Sequence, residues 1–194
     1  VRVAPGTYTA AVTINKNDLT VQGGNGTLWD ADKTILDASF SGAAVIFTGT
    51  TNSLLRGVTV TRSSSDLTQG IRTGLNSCIL RGNSTGNLIY GNSDNFISNC
   101  IIVGNNNTGG DSAMLRGDRP GAGFMQVNSS IIEANAFVTL SSLRCIFVNC
   151  IAQTAGSLQN VYLGGNITNN TTNSVMRLLD IAPASEGVGT NLVW

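Results

Sequence analysis

The sequence predicts an all-β fold, a single-stranded right-handed parallel β-helix (a solenoid) in which each coil of about 22 residues contains three short strands. Three observations predict it. Short aliphatic blocks return at a nearly fixed interval, turn-forming residues separate them, and no helical spacing of apolar residues is sustained. We therefore expect one continuous domain over residues 1–194 with almost no helix.

A recurring block sets the interval. Each block opens with a small residue and continues with β-branched or aliphatic residues. The blocks start at Gly57, Cys78, Cys100, Ser130 and Cys150, so the starts are 21, 22, 30 and 20 residues apart. Within one interval, turns separate three strand-like pieces: Cys78 to Gly82, Asn87 to Tyr90 and Asn95 to Ser98. Three strands in each repeat predict triangular coils stacked through parallel ladders.

Three blocks place Asn five positions after the start, at Asn83, Asn105 and Asn135. Asn tolerates left-handed backbone angles, and stacked amides can bond to one another along a solenoid axis. The spacing therefore predicts an Asn ladder at one turn.

Cys78, Cys100 and Cys150 return at the opening position of their blocks, which indicates an inward or corner position for a small side chain. Stacked Cβ atoms about 4.8 Å apart slightly exceed the usual disulfide spacing. Free buried thiols are therefore favoured over a Cys78 to Cys100 bridge, which stays open as the alternative. Cys145 could also face Cys150 around a turn.

An antiparallel β-sandwich is the alternative fold, but it does not explain equivalent residues that return in register. The interval from 100 to 130 is about eight residues longer than its neighbour, which predicts a protruding loop near 105–123. Past residue 165 the pattern weakens, so 166–194 is expected to be less regular.

Composition narrows the function classes. Eleven basic and eleven acidic residues cancel, which leaves no electrostatic footprint for nucleic acid or an anionic membrane. Asn, Gly, Thr and Ser make up 84 of the 194 residues and supply turns and an uncharged surface. No apolar run is long enough to span a membrane, and no signal peptide is visible.

The first sixty residues carry a family resemblance, in the segments Val3-Ala4-Pro5-Gly6-Thr7-Tyr8, Val12-Thr13-Ile14, Leu19-Thr20-Val21-Gln22-Gly23 and Thr34-Ile35-Leu36-Asp37. They resemble the N-terminal coils of the pectate-lyase-like right-handed β-helix superfamily. In that family a cap usually precedes such a start, and nothing precedes Val1. We therefore expect a piece of a longer protein, or a first coil that a partner covers.

The resemblance implies enzymes that act on polysaccharides, but much of their chemistry is missing. The chain has no His, so it lacks the Gly-His-Gly segment of polygalacturonases and any His-based metal site. Pectin methylesterases carry a GxYxE motif, whereas Gly6-Thr7-Tyr8-Thr9 is followed here by Ala10. Pectate lyases remain, because they need carboxylates for Ca²⁺ and a basic residue, commonly Arg.

One charged cluster could serve such a lyase or a hydrolase, and it falls on the predicted loop. Its weak catalytic candidates are Asp111, Arg116, Asp118 and Arg119, with Asp94 or Glu133 joining from adjacent coils. Two carboxylates make a poor calcium cage, so Ca²⁺ is implied only under this alternative. The plainer interpretation is a solvated loop whose charges pair at little gain.

Trp29, Arg116 and Asp118 are the candidate ligand-binding residues, with Trp29 as a flat surface for a sugar ring. Tyr90 and Tyr162 could serve likewise, but they also fit as core residues. Arg116-Gly117-Asp118 also spells a tripeptide of some adhesion ligands, which is a weak signal in three residues.

A coherent scaffold without evident chemistry predicts an extracellular structural or adhesive module without a cofactor, on a cell surface, fibre, phage tail or virion, that grips a polysaccharide or other glycan. The alternative is a polysaccharide lyase or glycoside hydrolase of the same fold. Uncovered coil ends would also expose strand edges, so self-association through the ends is expected.

Overall fold

In a computed structural model, the chain forms a parallel β-helix, as the sequence predicts, and every pairing among the described residues is parallel. The structure describes residues 1–68, 72–86, 88–91, 94–108, 113–117, 125–142, 145–148, 151–159, 161–164, 166–169, 176–177 and 191–193. Within these residues, no helix has the length and apolar character needed to cross a membrane.

The strands are short because a corner interrupts the chain after every few residues. The first thirteen strands are β1 Arg2–Val3, β2 Gly6–Tyr8, β3 Val12–Ile14, β4 Thr20–Gly23, β5 Thr34–Asp37, β6 Val45–Phe47, β7 Leu54–Arg56, β8 Thr59–Thr61, β9 Leu67–Thr68, β10 Gly74–Asn76, β11 Ile79–Arg81, β12 Ser84–Thr85 and β13 Ile89–Gly91. They are followed by β14 Phe96–Ser98, β15 Ile101–Val103, β16 Asn106–Asn107, β17 Ala113–Gly117, β18 Met125–Asn128, β19 Ile131–Ser142, β20 Cys145–Val148, β21 Ile151–Gln159, β22 Val161–Gly164, β23 Asn166–Asn169, β24 Met176–Arg177 and β25 Asn191–Val193. One 3₁₀ helix, η1, spans Leu28–Lys33.

Stacked strands form three faces. The first face contains β1, β4, β7, β10, β14, β18, β20 and β22 in that order. The second face contains β2, β5, β8, β11, β15 and the start of β19. The third face begins with the β3–β6 pair and continues through β9, β13, β17 and the end of β19. Each coil therefore supplies the hydrogen-bond partners of the next.

The core lies inside the coils, where one side chain from each strand stacks on its equivalent in the next coil. The first-face column is Val21, Leu55, Leu75, Ile97 and Val127, and the second-face column is Leu36, Val60, Leu80, Ile102 and Ile132. All ten side chains are buried. This continuous apolar column explains why aliphatic residues return at the coil interval.

Each corner turns on a residue with a left-handed backbone, with φ between 48° and 63°. The first corner, between the first and second faces, uses Gly57, Ser77, Asn99 and Ser129; the second uses Arg62, Gly82 and Gly104; and the third uses Asp18, Asn52, Arg72 and Asp94. Gly and Asn adopt this conformation most easily, which accounts for much of the turn-rich composition.

The register corrects one detail of the repeat. The carbonyl of Val58 accepts from Ile79 N–H as that of Cys78 accepts from Ile101 N–H, so Val58 is the equivalent of Cys78. The block start assigned to Gly57 was wrong by one residue, because Gly57 is the left-handed residue of the first corner.

A buried polar column occupies the second corner. Asn83 donates through Nδ2 to Oδ1 of Asn105 at 2.8 Å, and Asn105 donates in the same way to Asn135 at 2.8 Å. The same oxygens accept the backbone N–H groups of Asn83 at 3.1 Å and Asn105 at 3.0 Å. The second amide hydrogens reach carbonyls of the preceding coil, at Val60 and Leu80. These amides thus join three coils where water is excluded.

Replacing the central amide, Asn105→Ala, should lower the free energy of unfolding by about 3 kcal/mol, because it strands buried donors of Asn83 and the Leu80 carbonyl. Urea denaturation would measure the change. The neighbouring Asn106→Ala is the matched control, since Asn106 is exposed. Equal destabilisation by both changes would contradict a special role for the buried column.

Candidate functional site

The predicted charged cluster falls largely outside the described residues, which exclude Asp111, Asp118 and Arg119. Arg116 lies in β17 on the third face, in register with Tyr90. Tyr162 lies in β22 on the first face, in register with Ile146.

The interval predicted as one loop, 105–123, contains the strands β16 and β17. Register partners are 22 residues apart at Thr85 and Asn107, 26 apart at Ile89 and Leu115, and 30 apart at Phe96 and Gln126. The eight extra residues therefore divide into four before and four after the paired part of β17.

The two carboxylates expected to join the cluster lie on different sides of the solenoid. Asp94 is at the third corner, where its carboxylate is 3.8 Å from Nε of Arg72 and both side chains are largely exposed. Glu133 is exposed on the second face, as predicted from its block, in register with Val103. The structure does not bring Asp94 and Glu133 together, and the exposed Arg72–Asp94 pair adds little stability.

The outer surface of the second face carries two columns of side chains, which we call the lateral face. One column is mostly aliphatic: Ile35, Thr59, Ile79, Ile101 and Ile131. The other is mixed: Asp37, Thr61, Arg81, Val103 and Glu133. Ile131 is 38% exposed, while Ile79 and Ile101 are half-buried.

A buried ion pair stands at one end of the mixed column. Arg62 donates to both carboxylate oxygens of Asp37, through Nε to Oδ1 at 2.8 Å and through Nη2 to Oδ2. Ser39 N–H also donates to Oδ1 at 2.8 Å. The side chain of Asp37 is only 5% exposed, and the hydrogen bonds from Arg62 lower the pKa of Asp37. This carboxylate is charged and fully engaged, so it fixes the chain after β5 and is unavailable as a base.

The two carboxylates of the lateral face are too far apart to act together. Four ladder steps separate Asp37 from Glu133, which is about 19 Å at about 4.8 Å per step. Paired carboxylates of glycosidases lie about 5 to 10 Å apart. Within the described residues, no group of three or more His, Cys, Asp or Glu side chains could hold a metal ion.

An insertion, residues 24–33, borders the lateral face at its first-corner edge. It lengthens its coil, because Thr20 pairs with Leu54, 34 residues later. Gly24 and Gly26 have positive φ and turn the chain out of β4. Arg56 Nε donates to the Gly26 carbonyl at 2.6 Å, and the Thr59 hydroxyl donates to that of Ala31 at 3.0 Å. The insertion is therefore held against the solenoid, with Ala31 completely buried.

Asp30 organises the outer part of this insertion. Its carboxylate accepts from Lys33 Nζ at 2.5 Å, from Asn25 Nδ2 at 2.9 Å and from the Thr27 hydroxyl at 3.4 Å. The hydrogen bond from Lys33 is the main reason why the pKa of Asp30 is lowered. A shallow cleft beside the insertion is lined by Arg2, Val3, Pro5, Asn25, Asp30 and Lys33.

Trp29 is 92% exposed on η1, between the anchored residues Asp30 and Ala31 and the start of the helix. A 3₁₀ helix has three residues per turn, so Trp29 shares its outer side with Asp32 rather than with Asp30. The structure thus presents a large apolar ring to solvent on a segment fixed by hydrogen bonds. Trp29 was found from its residue type, whereas the insertion that holds it and the Asp37–Arg62 pair were not. The length of the 34-residue coil is a signal for the insertion.

No protein-family model matches this chain, and no curated protein matches it. Among solved structures, it is similar to the pectin methylesterase from Aspergillus niger in deglycosylated form, with 16% sequence identity over 94% of this chain and 78% of that chain and a TM-score of 0.48. At this distance the likeness says nothing about activity, and the fold follows from the parallel ladders themselves.

Gly57→Ala should detach the insertion. A Cβ at Gly57 would lie 2.5 Å from the Cα of Gly26, and the φ of 63° adds backbone strain. Gly104→Ala is the control, since it has a φ of 61° with nothing within 4 Å of the added Cβ. The control should cost about 1 to 2 kcal/mol from backbone strain alone, and Gly57→Ala distinctly more. Urea denaturation would measure both, and equal losses would contradict the close packing.

Arg62→Gln should flatten the acid dependence of stability. Since the folded pKa of Asp37 is below its ordinary value of about 3.9, the pair stabilises the fold above that pH. This stability is lost as the pH falls through the lowered pKa. Unfolding by urea at a series of pH values should show a steep fall below about pH 4 in the unchanged protein and a shallower one in the variant.

Arg72→Gln is the control for this experiment, because Arg72 has nearly the same left-handed backbone, with a φ of 52° against 53°, but an exposed partner. An equal change of slope in both variants would contradict the assignment to the Asp37–Arg62 pair.

Proposed function

We propose that this chain is a structural or adhesive β-solenoid module of an extracellular fibre, cell surface or phage tail, a non-catalytic member of the pectate-lyase-like superfamily that binds a glycan beside its lateral face. The observation that carries the proposal is the 92% exposure of Trp29 on an insertion fixed to the solenoid. A structural role alone would not favour an indole ring in water.

Sugar rings combine flat C–H surfaces with hydroxyl edges, and both find counterparts around residues 24–33. The indole ring of Trp29 offers a large, rigid apolar surface at low entropic cost. The cleft on the neighbouring side of η1 offers the Arg2 guanidinium and the Asn25 amide for hydrogen bonds. The near-zero net charge suits a neutral or weakly charged ligand.

The interior of the solenoid supports the structural part of the proposal. Buried apolar columns run along the coils, and the amides of Asn83, Asn105 and Asn135 connect three of them. A scaffold stabilised by contacts between neighbouring coils can extend by repetition and present the same side along its length. Both properties suit a fibre or surface module.

The enzyme alternative, a polysaccharide lyase or glycoside hydrolase, depends on Arg116 and Asp118 near the extra residues of the fourth repeat. It is tested by assaying a polysaccharide panel, with and without Ca²⁺, for unsaturated and reducing-end products. We expect no product. Activity that Arg116→Ala or Asp118→Ala abolishes would overturn the proposal of a non-catalytic module.

Trp29→Ala should weaken binding to the glycans that a panel identifies for the unchanged protein, with dissociation constants raised about tenfold, which corresponds to about 1.4 kcal/mol of lost ring contact. Calorimetric titration would measure the affinity. Because the ring is 92% exposed, the urea midpoint of unfolding should stay unchanged.

Phe40→Ala is the matched control, since Phe40 is an exposed aromatic residue, at 53%, on the other side of β5. Binding that Phe40→Ala weakens and Trp29→Ala does not would contradict the proposed position. A panel without any bound glycan would contradict glycan binding as a whole.

A further inference from the structure

Cys78 and Cys100 lie on neighbouring coils at the first corner, directly before β11 and β15. Ile101 N–H donates to the Cys78 carbonyl at 3.0 Å, and the strands that follow pair in register. Adjacent chains of a parallel ladder are about 4.8 Å apart, which falls inside the range of about 4.4 to 6.8 Å between the Cα atoms of disulfides. The backbone therefore already holds this pair at a bridging distance.

The two thiols have equivalent surroundings. Both residues are buried, at 0% and 1% exposure. Each Sγ donates to the carbonyl two residues earlier, Asn76 at 3.3 Å and Ser98 at 3.2 Å. The two thiols also hydrogen-bond to each other. Their sulfur atoms are thus neighbours, whereas the corner residues on either side, Val58 and Ser130, cannot form a disulfide.

We propose that Cys78 and Cys100 form a reversible inter-coil disulfide when the protein meets a small-molecule disulfide as oxidant. One thiol, after losing its proton, attacks the oxidant and releases one reduced thiol. The second protein thiol then attacks this mixed disulfide and releases another. The net change is the loss of two S–H groups, the formation of one S–S bond and the release of two reduced small-molecule thiols.

Burial makes this reaction slow, and geometry makes it reversible. Desolvation raises the pKa of Cys100, so little of it is thiolate at neutral pH. Stacked Cβ atoms about 4.8 Å apart must approach to about 4.5 Å or less, so the bridge is under strain and is reduced readily. The bridge would clamp β11 to β15, the strands that carry Ile79 and Ile101 of the lateral face.

The test uses the full chain with Cys145→Ser and Cys150→Ser, so that Cys78 and Cys100 are the two remaining thiols. The protein is equilibrated with oxidised and reduced glutathione at graded ratios, with enough urea to permit local opening. Acid quenching, alkylation after unfolding, intact mass and peptide mapping follow. We expect the two cysteine peptides to be linked, with two fewer alkylation sites, and the link to disappear under excess reduced glutathione.

Cys100→Ser in the same background is the control, since Ser130 shows that Ser fits this column. It should give only a glutathione adduct at Cys78. Two free thiols, or two adducts without a link, in the protein that retains both cysteines would overturn the proposal. The unchanged protein, mapped in parallel, gives the same decision if the added serines impair folding.

Discussion

The structure depends on turning a chain through three corners in each coil while leaving no buried polar group without a partner. A corner bends the backbone away from the ladders, so some of its N–H and carbonyl groups must find side-chain partners. At the second corner the amides of Asn83, Asn105 and Asn135 meet this demand, because each accepts from the coil before it and donates to the coil after it. The coil interval is thereby coupled to the identity of the corner residue.

The same constraint explains what the other corners tolerate. A left-handed residue is needed at each corner, and Ser77 and Arg62 fill that position as well as Gly57 and Gly82 do. The residue that follows faces inward, where there is room for a small side chain, so Cys, Ser, Thr and Asn alternate there. The cysteines are thus placed by corner geometry first, and their chemistry is a consequence of stacking.

Departures from the regular coil mark the surface that could carry function. Residues 24–33 leave the ladder and return to cover Thr59, and the chain after β5 is fixed by the ion pair between Asp37 and Arg62. Both features lie at the margins of the lateral face, on opposite sides of β5. An insertion in a solenoid need not stabilise the neighbouring coils, so it is free to present an exposed group such as Trp29.

The sequence by itself determined the solenoid, because the apolar interval and the turn residues are local signals that every coil repeats. It also predicted the stacking partners of Asn105, since equal spacing implies equal position. Only the tertiary structure decided the rest. The pairing of Asp37 with Arg62 joins residues 25 positions apart in coils of unequal length, and the split of the extra residues around β17 depends on register. Neither follows from a periodic pattern, because insertions break the period at the places where function would be found.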